Sequence, residues 1–89
     1  MKIYKYSFPS SSFKHEIYMP LEAEILSFQV QHEVLTIWAL VDPEKGSVPR
    51  YFSIFGTGDY VDKSNVKQYI GTVQVMGGSL VWHLFEMFQ

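Results

Sequence analysis

Cysteine is missing from this 89-residue chain. A disulfide framework, a thiolate metal site and a cysteine nucleophile are excluded with it. Charge is also scarce. Only 18% of residues are charged, against roughly 25% in ordinary soluble domains. The formal net charge is −2, and the seven lysines and arginines are spread along the chain. That pattern lacks the basic face that displaces counterions from nucleic acid, and it falls far short of an acidic DNA mimic. No apolar run is long enough to cross a bilayer. Met1-Lys2-Ile3-Tyr4-Lys5-Tyr6 carries charges where a secretory leader needs apolar residues. A cytoplasmic location is therefore expected, with neither nucleic acid nor membrane as partner. No helical periodicity, internal repeat, low-complexity segment or linker is present.

Apolar material is plentiful: hydrophobic residues make up 47% of the chain and aromatics 17%. A single domain of this length, residues 1–89, buries roughly two-thirds of its unfolded surface. The surplus implies an exposed apolar patch, and such patches mark interfaces. Self-association is the first expectation.

Period-2 alternation with aromatic and β-branched residues predicts an all-β fold of about seven short antiparallel strands. A curled sheet of that kind closes as a small barrel or a sandwich. Lys2 to Phe8 is the first run, with Tyr4, Tyr6 and Phe8 on one face, and Pro9-Ser10-Ser11-Ser12 reads as a turn. Phe13 to Tyr18 follows, ended by Pro20. Glu24 to Gln31 and Val34 to Asp42 form a hairpin about His32-Glu33. Its register sets Val30 against Leu35, Phe28 against Ile37 and Leu26 against Ala39 on a core face. His-Glu is poor chemistry for a tight type I′ turn, which prefers Asn-Gly. Asp42 to Pro49 is a loop, Arg50 to Phe55 the fifth strand, and Gly56 to Asn65 an irregular segment with room for a short helical turn near Asp62. Val66 to Met76 and Ser79 to Phe88 form the last hairpin about Gly77-Gly78. There Val75 meets Leu80, Val73 meets Trp82 and Gly71 meets Leu84 on a core face. Gln74 with Val81, Thr72 with His83 and Ile70 with Phe85 lie on the other. Gly71 among bulky neighbours implies a close approach.

Several stretches resemble a family of small phage and prophage proteins. They are Met1 to Tyr6, Trp38-Ala39-Leu40-Val41-Asp42-Pro43, Phe55-Gly56-Thr57-Gly58, Tyr69 to Gln74 and Gly77 to Glu86, with Ile25-Leu26 and Gln29-Val30-Gln31 between. The resemblance covers nearly the whole chain. Members of the family often carry Asn-Gly where this chain has His32-Glu33, so this chain departs from that pattern there. No activity is established for the family, and no catalytic residue carries over. The resemblance implies an accessory protein that acts on a host protein, such as a defence component, by binding it.

The residues themselves offer little chemistry. Gly56-Thr57-Gly58-Asp59 can shape a backbone nest for an anion, with Tyr60 beside a base, as in an oligomer that sequesters a nucleotide signal. The plainer reading is a strand-ending turn. His83 faces Thr72, with no serine, cysteine or carboxylate fixed beside it, and Glu86 falls on the opposite face of the same strand. A small hydrolase is therefore the weakest reading, and no enzyme, cofactor or metal is expected. His15, His32 and His83 lack the short spacings of a zinc site. Trp38, Val81, His83, Phe85 and Met87 sit on second faces and form the expected interface of a homo-oligomer, with edge pairing through the C-terminal run. The leading expectation is protein binding.

Overall fold

The computed structural model describes residues 1–9 and 12–89. The turn expected at Pro9-Ser10-Ser11-Ser12 lies, at Ser10 and Ser11, outside them. Seven strands are present: β1 (Lys2–Ser7), β2 (Lys14–Pro20), β3 (Glu24–Gln31), β4 (Val34–Val41), β5 (Ser47–Gly56), β6 (Val66–Val75) and β7 (Leu80–Met87). They form two sheets, ordered β1-β4-β3 and β2-β5-β7-β6, and every ladder is antiparallel. The all-β expectation holds, and of the two closures the molecule adopts the sandwich.

The inward faces supply the core. Phe8, Met19, Ile37, Val41, Phe52 and Leu84 are all fully buried. Phe8 stands at its centre, its ring meeting Phe28 and Phe52 edge-on at centroid distances of 6.4 and 5.8 Å. β3 lies over β6, and Gly71 makes room there. A Cβ on Gly71 would sit 3.5 Å from that of Phe28, which is the close approach the sequence implies.

The two hairpin registers are as expected near their turns, and each then slips by one residue at a bulge. In β3 the shift falls between Ile25 and Ser27, so Ile25 pairs with Ala39 and Leu26 does not. Leu26 is 46% exposed and Val30 also reaches solvent, which corrects their placement in the core. In β6 the shift between Tyr69 and Gly71 sets Tyr69, not Ile70, opposite Phe85. A bulge inserts one unpaired residue and exchanges the faces beyond it. The last hairpin also turns wider than expected. Val75 and Leu80 are its final pair, with Met76, Gly77 and Gly78 all at positive φ. Of the five residues expected to be buried there, Leu84 is buried, Val73, Val75 and Trp82 are half-buried, and Leu80 is exposed. The hairpin tip borders an open cleft rather than the opposing sheet.

β5 begins at Ser47 rather than Arg50, so Val48 and Pro49 belong to the strand and not to the preceding loop. Proline is tolerated there for a geometric reason. The Leu21 N–H donates to the Gly46 carbonyl at 2.9 Å. Hydrogen-bonded pairs alternate from that point, so Pro20 opposite Ser47 and Pro49 opposite Tyr18 both occupy positions that need no N–H across this ladder.

β7 lies between β5 and β6 and is paired on both sides. The C-terminal run therefore has no free edge, and the expected edge pairing through it is ruled out. β5 and β6 run parallel to each other as a result. Gly56 pairs with Trp82 and Val66 with Met87, so residues 57–65 travel the length of β7 to connect them. Lys63–Asn65 of that connection forms a 3₁₀ turn capped by the Asp62 carboxylate, close to where the sequence left room for one.

One buried interaction was not foreseen. Arg50 shares the inward face of β5 with Phe52 and Ile54. Its Nε and Nη2 donate to the two carboxylate oxygens of Glu86 at 2.7 and 2.8 Å, and Nη1 donates to the Ala23 carbonyl at 2.6 Å. The Glu86 side chain is only 3% exposed. Losing one partner of such a pair strands the other charge in the core, whereas replacing both with apolar groups is far cheaper. In urea titrations Glu86→Ala is therefore expected to lose about 3–5 kcal/mol, and the Arg50→Leu/Glu86→Leu double variant clearly less. Phe28→Ala is expected to lose about 3–5 kcal/mol by leaving a cavity. A loss under about 1 kcal/mol would place Phe28 at the surface.

Candidate functional site

Two places gather the residues of interest. The first is the outward face of the four-stranded sheet. His83 lies there opposite Thr72 on β6 and Phe55 on β5. Its Nε2 is 2.8 Å from the Thr57 hydroxyl and its Nδ1 is 2.9 Å from that of Thr72. Thr72 is in turn 2.5 Å from the Tyr69 hydroxyl. A neutral imidazole donates through one nitrogen and accepts at the other, and a hydroxyl serves either role. The chain Thr57–His83–Thr72–Tyr69 is thus self-satisfied. It joins an expected ligand-binding residue, Thr57, to an expected interface residue, His83. No carboxylate bonds the ring among the described residues.

The Gly56–Asp59 segment is a tight turn. The Asp59 N–H donates to the Gly56 carbonyl at 3.1 Å, and Gly58 takes a φ of +95°. The Gly56 N–H donates to the Asp59 carboxylate at 2.7 Å. One donor that a nest would offer an anion is therefore taken by the chain's own negative charge. Tyr60 projects beyond the turn, 88% exposed.

The expected interface residues do not form one patch. Val81, His83 and Phe85 share the outward face of β7, where Phe85 meets Phe55 and Tyr69 edge-on at 5.6 and 5.2 Å. Met87, at the end of that row, is buried within the chain. Trp38 sits on the outward face of the other sheet, opposite Lys5 and Ser27. The three histidines are equally scattered, and the described residues contain no cluster of groups that would hold a metal ion.

The second place is a cleft of about 1000 Å³ between the sheets, at the end of the sandwich where both hairpins turn. Trp82 and Ile54 form one wall and Leu35 and Val30 the other. Phe13 packs on the Trp82 indole with ring centroids 5.6 Å apart, yet it remains 57% exposed. Met76 stands at the rim, 74% exposed. The lining is mostly apolar, and Glu33 is its one charged member among the described residues. A concave, mainly apolar site with a few polar groups is the usual form of a binding pocket. The volume here is at the upper end for small ligands.

Strained backbone borders the same cleft. Four described non-glycine residues have positive φ: Glu22, His32, Glu33 and Met76. In that region an L-residue costs about 1–2 kcal/mol relative to glycine. Glu33 and Met76 both line the cleft, one from each sheet's hairpin. Glu22 lies at the other end of the sandwich, where Lys45 Nζ meets its carboxylate at 2.5 Å. That hydrogen bond and the lysine's charge hold the Glu22 carboxyl below its ordinary range.

Over residues 1–89 the sequence matches the family described as Domain of unknown function (DUF7352). The chain belongs to that family. No curated protein and no solved structure matches it. Among the described residues of this DUF7352 member, no helix is long and apolar enough to cross a membrane.

Sequence reasoning gave the strands of this DUF7352 member but missed its cleft. Alternation in the Phe13 to Tyr18 run sets Phe13, His15 and Ile17 on one face without marking a cleft, and only the unusual His32-Glu33 turn hints at this end of the molecule. If Phe13 shields the indole as the geometry shows, Phe13→Ala will shift Trp82 emission to the red and raise its quenching by acrylamide. The measurement needs a Trp38→Phe background so that Trp82 reports alone. Unchanged emission would mean that Phe13 does not cover the indole.

Proposed function

We propose that this protein is a binding module that takes an apolar segment of a protein partner into the cleft between its sheets. The observation that carries this reading is the open rim. Phe13, Met76, Val30 and Val34 all reach solvent around a single cavity. A small metabolite in the cavity would leave that rim wet, whereas a protein segment covers cavity and rim together. Methionine at the rim suits a surface that adapts to its partner. A host protein is the partner class to which the phage-like resemblance leads, with inhibition as the outcome.

Association with a second copy is the alternative reading, and a different surface favours it. On the outward face of the three-stranded sheet, Ile3 is 62% exposed beside its pair partner Leu40, and Trp38 lies next along β4. A symmetric partner is the commonest cover for such a row.

Photo-crosslinking tests the first reading. With benzoylphenylalanine at position 13, a discrete adduct to another protein is expected in the cell that makes the chain. The same probe at Gln29, on the outward face of β3, is expected to give none. Adducts from both positions, or from neither, would reject the cleft. Sedimentation at micromolar concentration tests the second. A dimer that Trp38→Lys dissociates is expected, and a monomer across the range would remove it.

A further inference from the structure

Building on the cleft reading, we infer that the segment it accepts is basic as well as apolar, with a lysine or arginine beside large apolar side chains to meet Glu33. The lining holds one charge, and that charge is negative. Two lysines on β1 and β2 face elsewhere. Lys5 Nζ donates to Gln31 at 2.8 Å on the outward face of the three-stranded sheet. Lys14 alternates with the inward His15 on β2 and so faces outward.

The molecule itself shows how such a carboxylate is satisfied. Glu22 and Glu33 occupy equivalent situations, each a glutamate at φ +66° or +67° in a tight turn between two strands. Lys45 reaches the Glu22 carboxylate from a neighbouring loop. Among the described residues, no lysine, arginine or histidine nitrogen lies within 4.0 Å of the Glu33 carboxylate. Glycine at position 33 would relieve the backbone at no steric cost. The chain instead holds a strained acidic residue at the mouth of an apolar cleft, and strain of this kind is commonest where a side chain is needed for contact. Met76 repeats the pattern on the opposite rim. It takes φ +52° immediately before two glycines that occupy positive φ freely. One rim thus supplies an adaptable apolar contact and the other an anion, and the complementary segment is apolar with a cation at its flank.

The test uses two acetylated, amidated pentapeptides with the same leucine-phenylalanine-leucine core. One is flanked by lysines and the other by glutamates. Binding to the full chain is followed by Trp82 emission in the Trp38→Phe background. The lysine peptide is expected to bind about tenfold more tightly at low salt, as attraction replaces repulsion at a solvated rim, and the preference is expected to shrink in concentrated salt. Glu33→Gln should abolish the preference while leaving the fold intact. Glu33→Gly should abolish it and also raise Tm by about 4–8 °C, because the strain is relieved. Equal affinity for the two peptides, or a preference that survives Glu33→Gln, overturns the inference and leaves the cleft reading standing. If neither peptide changes Trp82 emission, the cleft reading fails and this inference falls with it.

Discussion

Arg50 points into the sandwich because it shares the inward face of β5 with Phe52 and Ile54. A cation in that position is tolerable only with full hydrogen bonding. Glu86 receives two of its donors and the Ala23 carbonyl a third. The arrangement ties β5, β7 and the turn between β2 and β3 together at one end of the molecule. That end is pinned, beside a smaller cavity of about 400 Å³ with mixed polar and apolar lining. Among the described residues the opposite end has no such pair, and the space between its two hairpin turns is the apolar cleft. The asymmetry between a clamped end and an open one underlies the functional reading.

Strain is distributed with the same asymmetry. Three of the four described non-glycine residues at positive φ, His32, Glu33 and Met76, sit on the two turns at the open end. A turn that uses His-Glu where Asn-Gly would be comfortable gives up stability locally. The remainder of the sandwich supplies the margin, through the Phe8, Phe28 and Phe52 cluster and the close seat of Phe28 on Gly71. Rigid sheets with a stressed rim are a reasonable physical basis for a site that must present particular side chains.

The strand order along the chain could be read from the sequence because alternation and turn residues agree there. The registers next to both turns could be read for the same reason: a slip would have mixed apolar and polar faces. The reading failed beyond Leu26 and Ile70, since a bulge resets parity without any marker in composition. It also failed for Arg50 and Glu86. Each sits two residues from an apolar inward neighbour, so inward placement was available from the pattern. Charge suggested the surface, and the partner stands 36 residues away. The cleft is not legible in the sequence because it depends on how the two sheets are placed against each other, which no local pattern encodes. Of the expected site residues, Thr57 and His83 were brought into contact, while Trp38 and Met87 fell to another sheet and to the interior.

The placement of β7 between β5 and β6 bears on how the chain reaches its native state. β5 and β6 are parallel, never touch through a ladder, and both precede the strand that joins them. During synthesis both must wait until β7 has been made, β5 with one edge unsatisfied and β6 with no ladder partner at all. The four-stranded sheet therefore assembles late and through contacts distant in sequence, the regime in which β-sandwiches fold in roughly milliseconds to seconds. Until then the open edges of β5 and β6 are exposed to pairing with other chains. A fragment that stops before β7 would keep those edges permanently, and it is the form of this protein most prone to aggregate.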